Sequence, residues 1–414
     1  MSNNIQNDWR KQIIFCSMVF IMISLFLPRS FLSISLAVFI IISFLHKSHL
    51  QQFRHFLSSY LLLGMTLLFF VPFVSGIWSQ DKQEWMDVLL IKLPLLLLPI
   101  SFAGPINFSK KEWERLAFIF FILVTIGTLW SISQYFMDMN RIHEGYLKSK
   151  MIRAPLDDDH IRFSWMVSVS IILAGWIFIL KREKFSKFYF FLFLIVETWL
   201  VIYLHILAAR TGIFCLYAML LFLAGWFLFK RSKPRMGFGI IILLVVLPLA
   251  SWFIFPTFQN RIKYVLYDFS YISKSTYLPG SNDGRRFFSI KAGLNILSDN
   301  PLIGVGFGDI RNEMNRWYGD NVPRMLEKDR LYPSSEWLVY GVGCGIIGVF
   351  IFTVVILIPF FTRYHRNQIL WLLLNISVLL SLLFDIGLEV QYGVFLYSFI
   401  VLWWWKWLQS QKTI

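Results

Sequence analysis

Charge is what this chain has least of. Only 15% of its residues are Asp, Glu, Lys or Arg, against roughly 25% in an ordinary globular domain. So few charges cannot coat a soluble fold of 414 residues. Cysteine is almost absent. Cys16, Cys215 and Cys344 all fall in hydrophobic runs without metal-ligand spacing, so neither a disulfide framework nor a zinc site can be built from them. Acidic residues are the scarcer sign, 24 against 39 Lys and Arg. Even so, no polar segment interleaves a basic face with aromatics, which excludes a nucleic-acid binder. There is no internal repeat and no low-complexity tract. No small-residue cleavage site follows the first hydrophobic run, which is therefore expected to be a retained helix.

What the chain does have is apolar surface. Hydrophobic residues make up 57% and aromatics 18%, including 43 Phe and 17 Trp. A bilayer solvates that much apolar side chain, whereas one soluble core does not. Crossing a hydrocarbon layer of about 30 Å takes roughly 20 residues of helix. Windows near that length cover residues 13–27, 31–45, 60–77, 88–102, 116–136, 163–180, 188–206, 213–229, 238–255, 337–361, 369–384 and 394–405. The first two are short, are joined by Pro28-Arg29-Ser30, and fit a tilted hairpin. The expected fold is thus an all-α polytopic membrane protein of about twelve transmembrane helices, organised as helices 1–9 (residues 1–255), a polar loop (256–335) and helices 10–12 (336–414).

Lys and Arg orient it, because cytoplasmic loops hold the excess of positive charge. With the N-terminus inside, the inside segments include Lys110-Lys111, Lys181-Arg182-Glu183-Lys184, Lys230-Arg231-Ser232-Lys233, Arg363 and Arg366. Together with the tails they carry 19 Lys and Arg, against 8 in the outside connections other than the long loop. Both termini come out cytoplasmic, and the loop between helices 9 and 10 comes out non-cytoplasmic.

That loop is too long for a simple connector and too rich in Tyr, Phe, Trp, Ile and Leu to be disordered. Phe287, Ile290, Leu294 and Leu297 recur at helical spacing and predict an amphipathic helix over 285–298, which Asp299-Asn300-Pro301 ends. A glycine-rich turn follows, Pro301-Leu302-Ile303-Gly304-Val305-Gly306-Phe307-Gly308, and then a second short helix over 309–317. Gly304-x-Gly306-x-Gly308 lacks the preceding strand and βαβ context of a dinucleotide fingerprint. Its natural reading is a turn that lets backbone approach a neighbouring element.

Several polar residues stand out against the apolar background. Arg210, in Ala208-Ala209-Arg210-Thr211-Gly212, lies at the outer end of the seventh helix, against the charge trend. It reads either as a snorkelling side chain or as a clamp on a lipid-linked phosphate. Arg285 and Arg286 open the loop helix, as a solvated helix start or as ligands for the same anion. Lys92 lies within an apolar helix about a turn and a half from its outer end, and snorkelling is again the plain alternative. Glu197, in mid-span, would suit an ion pathway and so a transporter. A second outer segment, 137–161, holds Asp157-Asp158-Asp159 before His160; His160 and His205 titrate near neutrality as free side chains.

Taken together, these patterns resemble the O-antigen ligase and polymerase superfamily of bacterial glycan assembly. The resemblance rests on Ile77-Trp78-Ser79-Gln80-Asp81 with Lys92-Leu93-Pro94, on Ala209-Arg210-Thr211-Gly212, and on Gly284-Arg285-Arg286 running into Asn300–Gly308. It implies a bacterial inner-membrane enzyme with a large periplasmic loop. Such an enzyme moves a glycan from undecaprenyl pyrophosphate to an acceptor such as lipid A core, without nucleotide, metal or other cofactor. On this resemblance Arg210 and Arg285 carry the leaving diphosphate, with Arg286 and Lys92 in support. One departure stands out. Where the family places a His-Asn pair, this chain reads Ser334-Ser335 before Glu336-Trp337-Leu338. Ser334 then lines the acceptor side, and the base falls to Glu336 or His160. A polymerase of the same superfamily, a transporter or flippase, and a relative that binds glycan without transferring it, suggested by the missing His, are the alternatives.

The orientation is testable by labelling. A cysteine replacing Lys263 should react with a membrane-impermeant maleimide in spheroplasts, and one replacing Lys233 only after permeabilisation. Equal labelling of both would overturn the assigned sidedness.

Overall fold

The computed structural model describes residues 2–148, 150–181, 186–230, 233–274, 277–362 and 368–410. Of the basic clusters used for orientation, Arg182, Glu183, Lys184, Arg231, Ser232, Arg363 and Arg366 lie outside the described residues. Helices account for the regular structure among the described residues: α1 (Ser2–Ser24), α2 (Arg29–Phe44), α3 (His49–Ser58), α4 (Tyr60–Ser75), α5 (Lys82–Ala103), α6 (Lys110–Met137), α7 (Met139–Tyr146), α8 (His160–Lys181), α9 (Lys187–Leu207), α10 (Arg210–Gly225), α11 (Pro234–Ile254), α12 (Pro256–Ile272), α13 (Asn282–Asp299), α14 (Ile310–Asn321), α15 (Glu336–Phe361), α16 (Gln368–Phe384) and α17 (Gln391–Ser410).

Each of the twelve apolar windows overlaps a helix. Among the described residues seven helices are long and apolar enough to cross a membrane, namely α5, α6, α8, α9, α10, α11 and α15. Two shorter ones, α4 and α16, are apolar, and α2 continues into α3 through a bend of 112°. This is a multi-pass membrane protein. Side chains such as Phe188, Phe191, Ile195, Ile242 and Phe253, all more than half exposed, suit lipid on the outside of the bundle.

Polar signals set the helix starts. Ser109 and Glu112 form a reciprocal capping box at α6. At α5, Asp81 accepts from Glu84 N at 3.0 Å, and that N–H holds the Asp81 carboxyl below its ordinary range. At the other terminus of α9, Ala208 takes a left-handed φ of 48°, so the chain reverses within two residues and α10 begins on Arg210.

One end of the bundle is capped by α12, α13 and α14. Both loop helices expected after residue 285 are present, and both are longer than expected. The buried face of α13, however, is not the apolar stripe the spacing marked. Gly284, Phe288, Ser289, Ala292, Gly293 and Ile296 turn inward, while Ile290 and Leu294 are 39% and 51% exposed. Small residues let α13 lie close against Pro333 and Leu338, whose atoms would meet a Cβ at Gly293 at 3.1 and 3.6 Å. The sequence reading missed α12, because its polarity is inverted. Leu266 and Phe269 are exposed, and Arg261, Tyr264 and Asp268 are buried.

The glycine run is a docking device. Within α15 the backbone breaks at Cys344 and Gly345, the latter at φ +64°. Into that break the loop donates Val305 N to Val342 O (2.9 Å) and Gly306 N to Gly343 O (3.0 Å), and Ile346 N returns a bond to Pro301 O (2.8 Å). Backbone groups freed inside an apolar helix are thereby satisfied by another segment. On its other side the run meets the stretch before α5. Phe307 N donates to Ser75 Oγ (3.1 Å) and Gly308 N to Ser79 Oγ (3.2 Å). Asp309 accepts from Gln80 N (2.6 Å) and Asp81 N (3.1 Å). A Cβ on Gly304 would run into the backbone of α15, so the expected close approach is realised.

Gly345 tests this joint. Gly345→Ala adds a Cβ against the Leu302 backbone at a positive φ, and is expected to lower stability by about 1–3 kcal/mol. Gly225, with open space around it, should tolerate Ala within about 0.5 kcal/mol. Thermal unfolding in detergent compares the two; equal melting temperatures would show that the break is not held as described.

Candidate functional site

Guanidiniums gather at the capped end. Arg210, at the first position of α10, pairs through Nη2 with Asp283 Oδ1 at 2.5 Å while its side chain stays 42% exposed. Asp283 is placed by the first turn of α13, where Ser281 Oγ accepts from Gly284 N (2.7 Å) and Asp268 Oδ2 accepts from Asp283 N (3.0 Å). One helical turn on, Arg286 Nη1 donates to Phe384 O at the end of α16 (2.8 Å), and Nη2 lies 3.7 Å from Asp385 Oδ1. Asp385 also faces Arg162 Nη2 at 2.6 Å, and Arg162 reaches Asp159 at 3.2 Å and Ile386 O at 2.9 Å. Burial pushes the Arg286 guanidinium below its ordinary range, against the pull of Asp385, and Arg210 lies near enough to add to the lowering.

The expected partnership of Arg210 with Arg285 is corrected. Neighbouring helix residues point about 100° apart. Arg285 turns away to donate to Asp329 O (3.0 Å) and Lys328 O (3.2 Å), and lies 3.7 Å from Asp329 Oδ1. Tyr277 holds the same carboxylate. Arg285 thus ties α13 to the 327–330 turn, and Arg286 is the member of the pair that looks toward Arg210.

Lys92 does not snorkel. It has no exposed surface, pairs with Glu389, donates to Leu388 O (3.0 Å), and lies 5.1 and 5.4 Å from the rings of Tyr340 and Phe307. It therefore anchors the 387–389 turn and does not open on the hollow as a ligand would. Glu336 is equally buried. Its Oε1 accepts from Leu388 N, the Glu389 carboxylate lies near enough for the two charges to interact, and its Oε2 has no partner among the described residues. In this conformation no substrate hydroxyl reaches it. Ser334 is also buried, with its Oγ 2.7 Å from Ser289 Oγ, so it joins the entry of α15 to α13. His160, half-buried at the start of α8, stands in the field of Arg261 and Arg286. His205 is a packed residue, bonded to Val201 O (2.7 Å) and Tyr217 Oη (2.8 Å). Glu197 lies against Gly175 of α8, its Oε2 unpartnered among the described residues.

The structure adds Arg162, Arg261 and Asp283, which the sequence reading missed, and Asp385, which the sequence places at the last outer turn as an interfacial residue and the structure pairs with Arg162 and Arg286. Arg261 carried a signal, since Thr257, Arg261, Tyr264 and Asp268 form one polar stripe at helical spacing. Asp385 carried none, because its role comes from contacts with residues about 100 and 220 positions away. Among the described residues no group of three or more His, Cys, Asp or Glu is arranged to hold a metal.

The gathered arginines present positive charge to a space that the carboxylates only partly neutralise, which suits a phosphate-bearing ligand. Residues 198–353 match the family model described as O-Antigen ligase. The matched segment spans Arg210, Arg261, Asp283, Arg286, Ser334 and Glu336, and leaves Lys92, His160, Arg162, Asp385 and Glu389 outside it. No curated protein matches the chain. Over these residues the protein is similar to the O-antigen ligase superfamily, which supports a glycosyltransferase of the ligase or polymerase type.

Proposed function

We propose that this protein transfers a glycan from undecaprenyl pyrophosphate to a second lipid such as lipid A core, with its capped end in the periplasm and both termini in the cytoplasm. The observation that carries the reading is the grouping of Arg210 and Arg286 at the capped end, near enough for each charge to act on the other and each restrained by a carboxylate. In the reaction the acceptor oxygen attacks the anomeric carbon. The bond from that carbon to the diphosphate oxygen breaks, and its electron pair leaves with the diphosphate. Guanidiniums fixed where that charge grows need no reorganisation, and preorganised electrostatics of this kind is usually the largest catalytic term. Neither a nucleotide nor a metal has a role in this scheme.

The acceptor proton needs a receiver beside the hollow. Ser334 has no basic nitrogen, and Glu336 is sealed off, so we assign the proton to the His160 imidazole, which borders Arg261 and Arg286. On the other side of the turn that leads into His160 is a cavity of about 630 Å³. Phe26, Leu123, Ile126 and Trp130 wall it, and Arg29 and Arg153 are at its rim. The turn itself runs through Leu156, Asp157 and Asp158, three consecutive non-glycine residues at φ near +60°, a strained conformation. A lipid chain has an apolar berth there. A polymerase would use the same donor hollow with a carrier-linked acceptor.

Arg210→Ala and Arg286→Ala are each expected to lower transfer by about 10²–10³-fold while membrane levels hold, and Arg285→Ala to lower stability more than transfer. Glycan-capped lipid resolved on gels from a complemented deletion strain measures this. Full capping by the Arg210 and Arg286 variants would remove the clamp. In the same strain, loss of a ligase leaves no caps, whereas loss of a polymerase leaves single-unit caps.

For the proton step, His160→Ala should cost about 10²–10⁴-fold and Glu336→Gln far less. A Glu336→Gln variant that is stable but inactive, beside an active His160→Ala, would reverse the assignment.

A further inference from the structure

Arg261 stands apart from every other arginine of the hollow. Arg162, Arg210 and Arg286 each have a carboxylate within 4 Å. Arg261 is only 6% exposed, and its Nε and Nη1 have no hydrogen-bond partner among the described residues. Its closest charged-group company is unhelpful. The Tyr264 ring lies 5.4 Å from Cζ, Arg210 opposes it with like charge, and Asp283 is already engaged by Arg210. Tyr146 and His160 complete the groups whose charge acts between them and Arg261. Burial, with Arg210 beside it, pushes the guanidinium down to about 10.

A buried charge left without a counter-ion strongly destabilises a fold unless something else compensates. Among the described residues no carboxylate pairs with Arg261, and only the fields of Asp283, Tyr264 and Tyr146 work against its burial. The arginine sits on the inward stripe of α12, next to the α9–α10 reversal, where Thr257 Oγ1 holds Ile206 O at 2.6 Å. Its unpartnered N–H groups are buried there, and Arg210 is near enough to oppose its charge.

We propose that Arg261 is a third guanidinium of the anion site, and that it binds one phosphoryl group of a diphosphate ester together with Arg210 while Arg286 faces the other. This rests on the donor reading given above and extends it to a residue on a different helix. A diphosphate supplies two phosphoryl groups and at least two negative charges, enough to meet Arg261 without stripping Arg286 from Asp385. Arg261 belongs to the resting protein as an unfilled demand, so removing it should separate stability from binding in opposite directions.

The experiment uses the full-length protein in detergent, with inorganic pyrophosphate as probe and orthophosphate as the comparison. Wild type should bind pyrophosphate more tightly than orthophosphate by calorimetry. Arg261→Met should run as a monodisperse species on gel filtration, melt at the same temperature as wild type or higher without ligand, and bind pyrophosphate about 10- to 100-fold more weakly. Arg261→Gln should behave likewise. A lower ligand-free melting temperature with unchanged pyrophosphate affinity would make Arg261 a structural residue and overturn the proposal, leaving the donor reading intact. Failure of both variants to fold would overturn it too, because a group awaiting its ligand is not required for folding. Wild type that binds neither anion would remove the donor reading, and this inference with it.

Discussion

Positive charges can share one end of an apolar bundle only if something stands between them. In this protein that is a set of aspartates. Asp385 lies between Arg286 and Arg162, Asp159 takes the other side of Arg162, and Asp283 takes Arg210. Removing one partner of a buried ion pair typically costs about 3–5 kcal/mol, because the other charge is left without compensation. The arrangement is therefore interdependent, and it fixes the relation of α8, α10, α13 and the α16–α17 turn. Arg261 is where this neutralisation stops. This group of charges is consequently short of negative charge at one defined residue, as a site for an anionic ligand has to be.

A second buried charge group holds the floor. Lys92, Glu389 and Glu336 meet where α5, α15 and the 387–389 turn converge, and the Leu388 backbone is gripped from both directions, its carbonyl by Lys92 and its N–H by Glu336. Since the same turn carries Asp385 a few residues earlier, the position of the aspartate that serves Arg286 depends on this group. The third constraint is backbone. The glycine run threads between the break in α15 and the stretch before α5, so α13 and α14 are tied at their junction to two spanning helices. In these terms, two of the motifs that carry the family resemblance, Ser79-Gln80-Asp81 and Gly304–Gly308, are two halves of one joint. Neither has to touch a substrate for this role.

How much of this could be read beforehand differs by element. Apolar windows located the helices because the solvent for a spanning segment is the bilayer, and length and hydropathy register that directly. The end of α13 at Asn300 followed from Pro301. The inward face of α13 did not, because close packing against the entry of α15 selects small residues over the apolar stripe: Ile290 and Leu294 are outside and Gly284, Ser289 and Gly293 are inside. The same inversion hid α12 and with it Arg261. Arg210 was recognisable as an anomaly of charge placement, and Arg285 and Arg286 as a pair. Which of the two mattered depended on their angle about the helix axis relative to Phe384 and Asp329, and no local pattern encodes that.

By itself, the sequence determined the solvent of this protein, the approximate extent of its helices and the polar segment that caps them, because those follow from composition and spacing along one strand of chain. Only the tertiary structure decided which charges are paired, which are sealed off and which are left open. Lys92 could have reached for water and instead grips Glu389, 297 positions away; Glu336 could have faced a substrate and instead holds a turn. Whether a charged side chain meets lipid, water or a partner is a property of segments brought together from distant parts of the chain, and that information exists only once they have met.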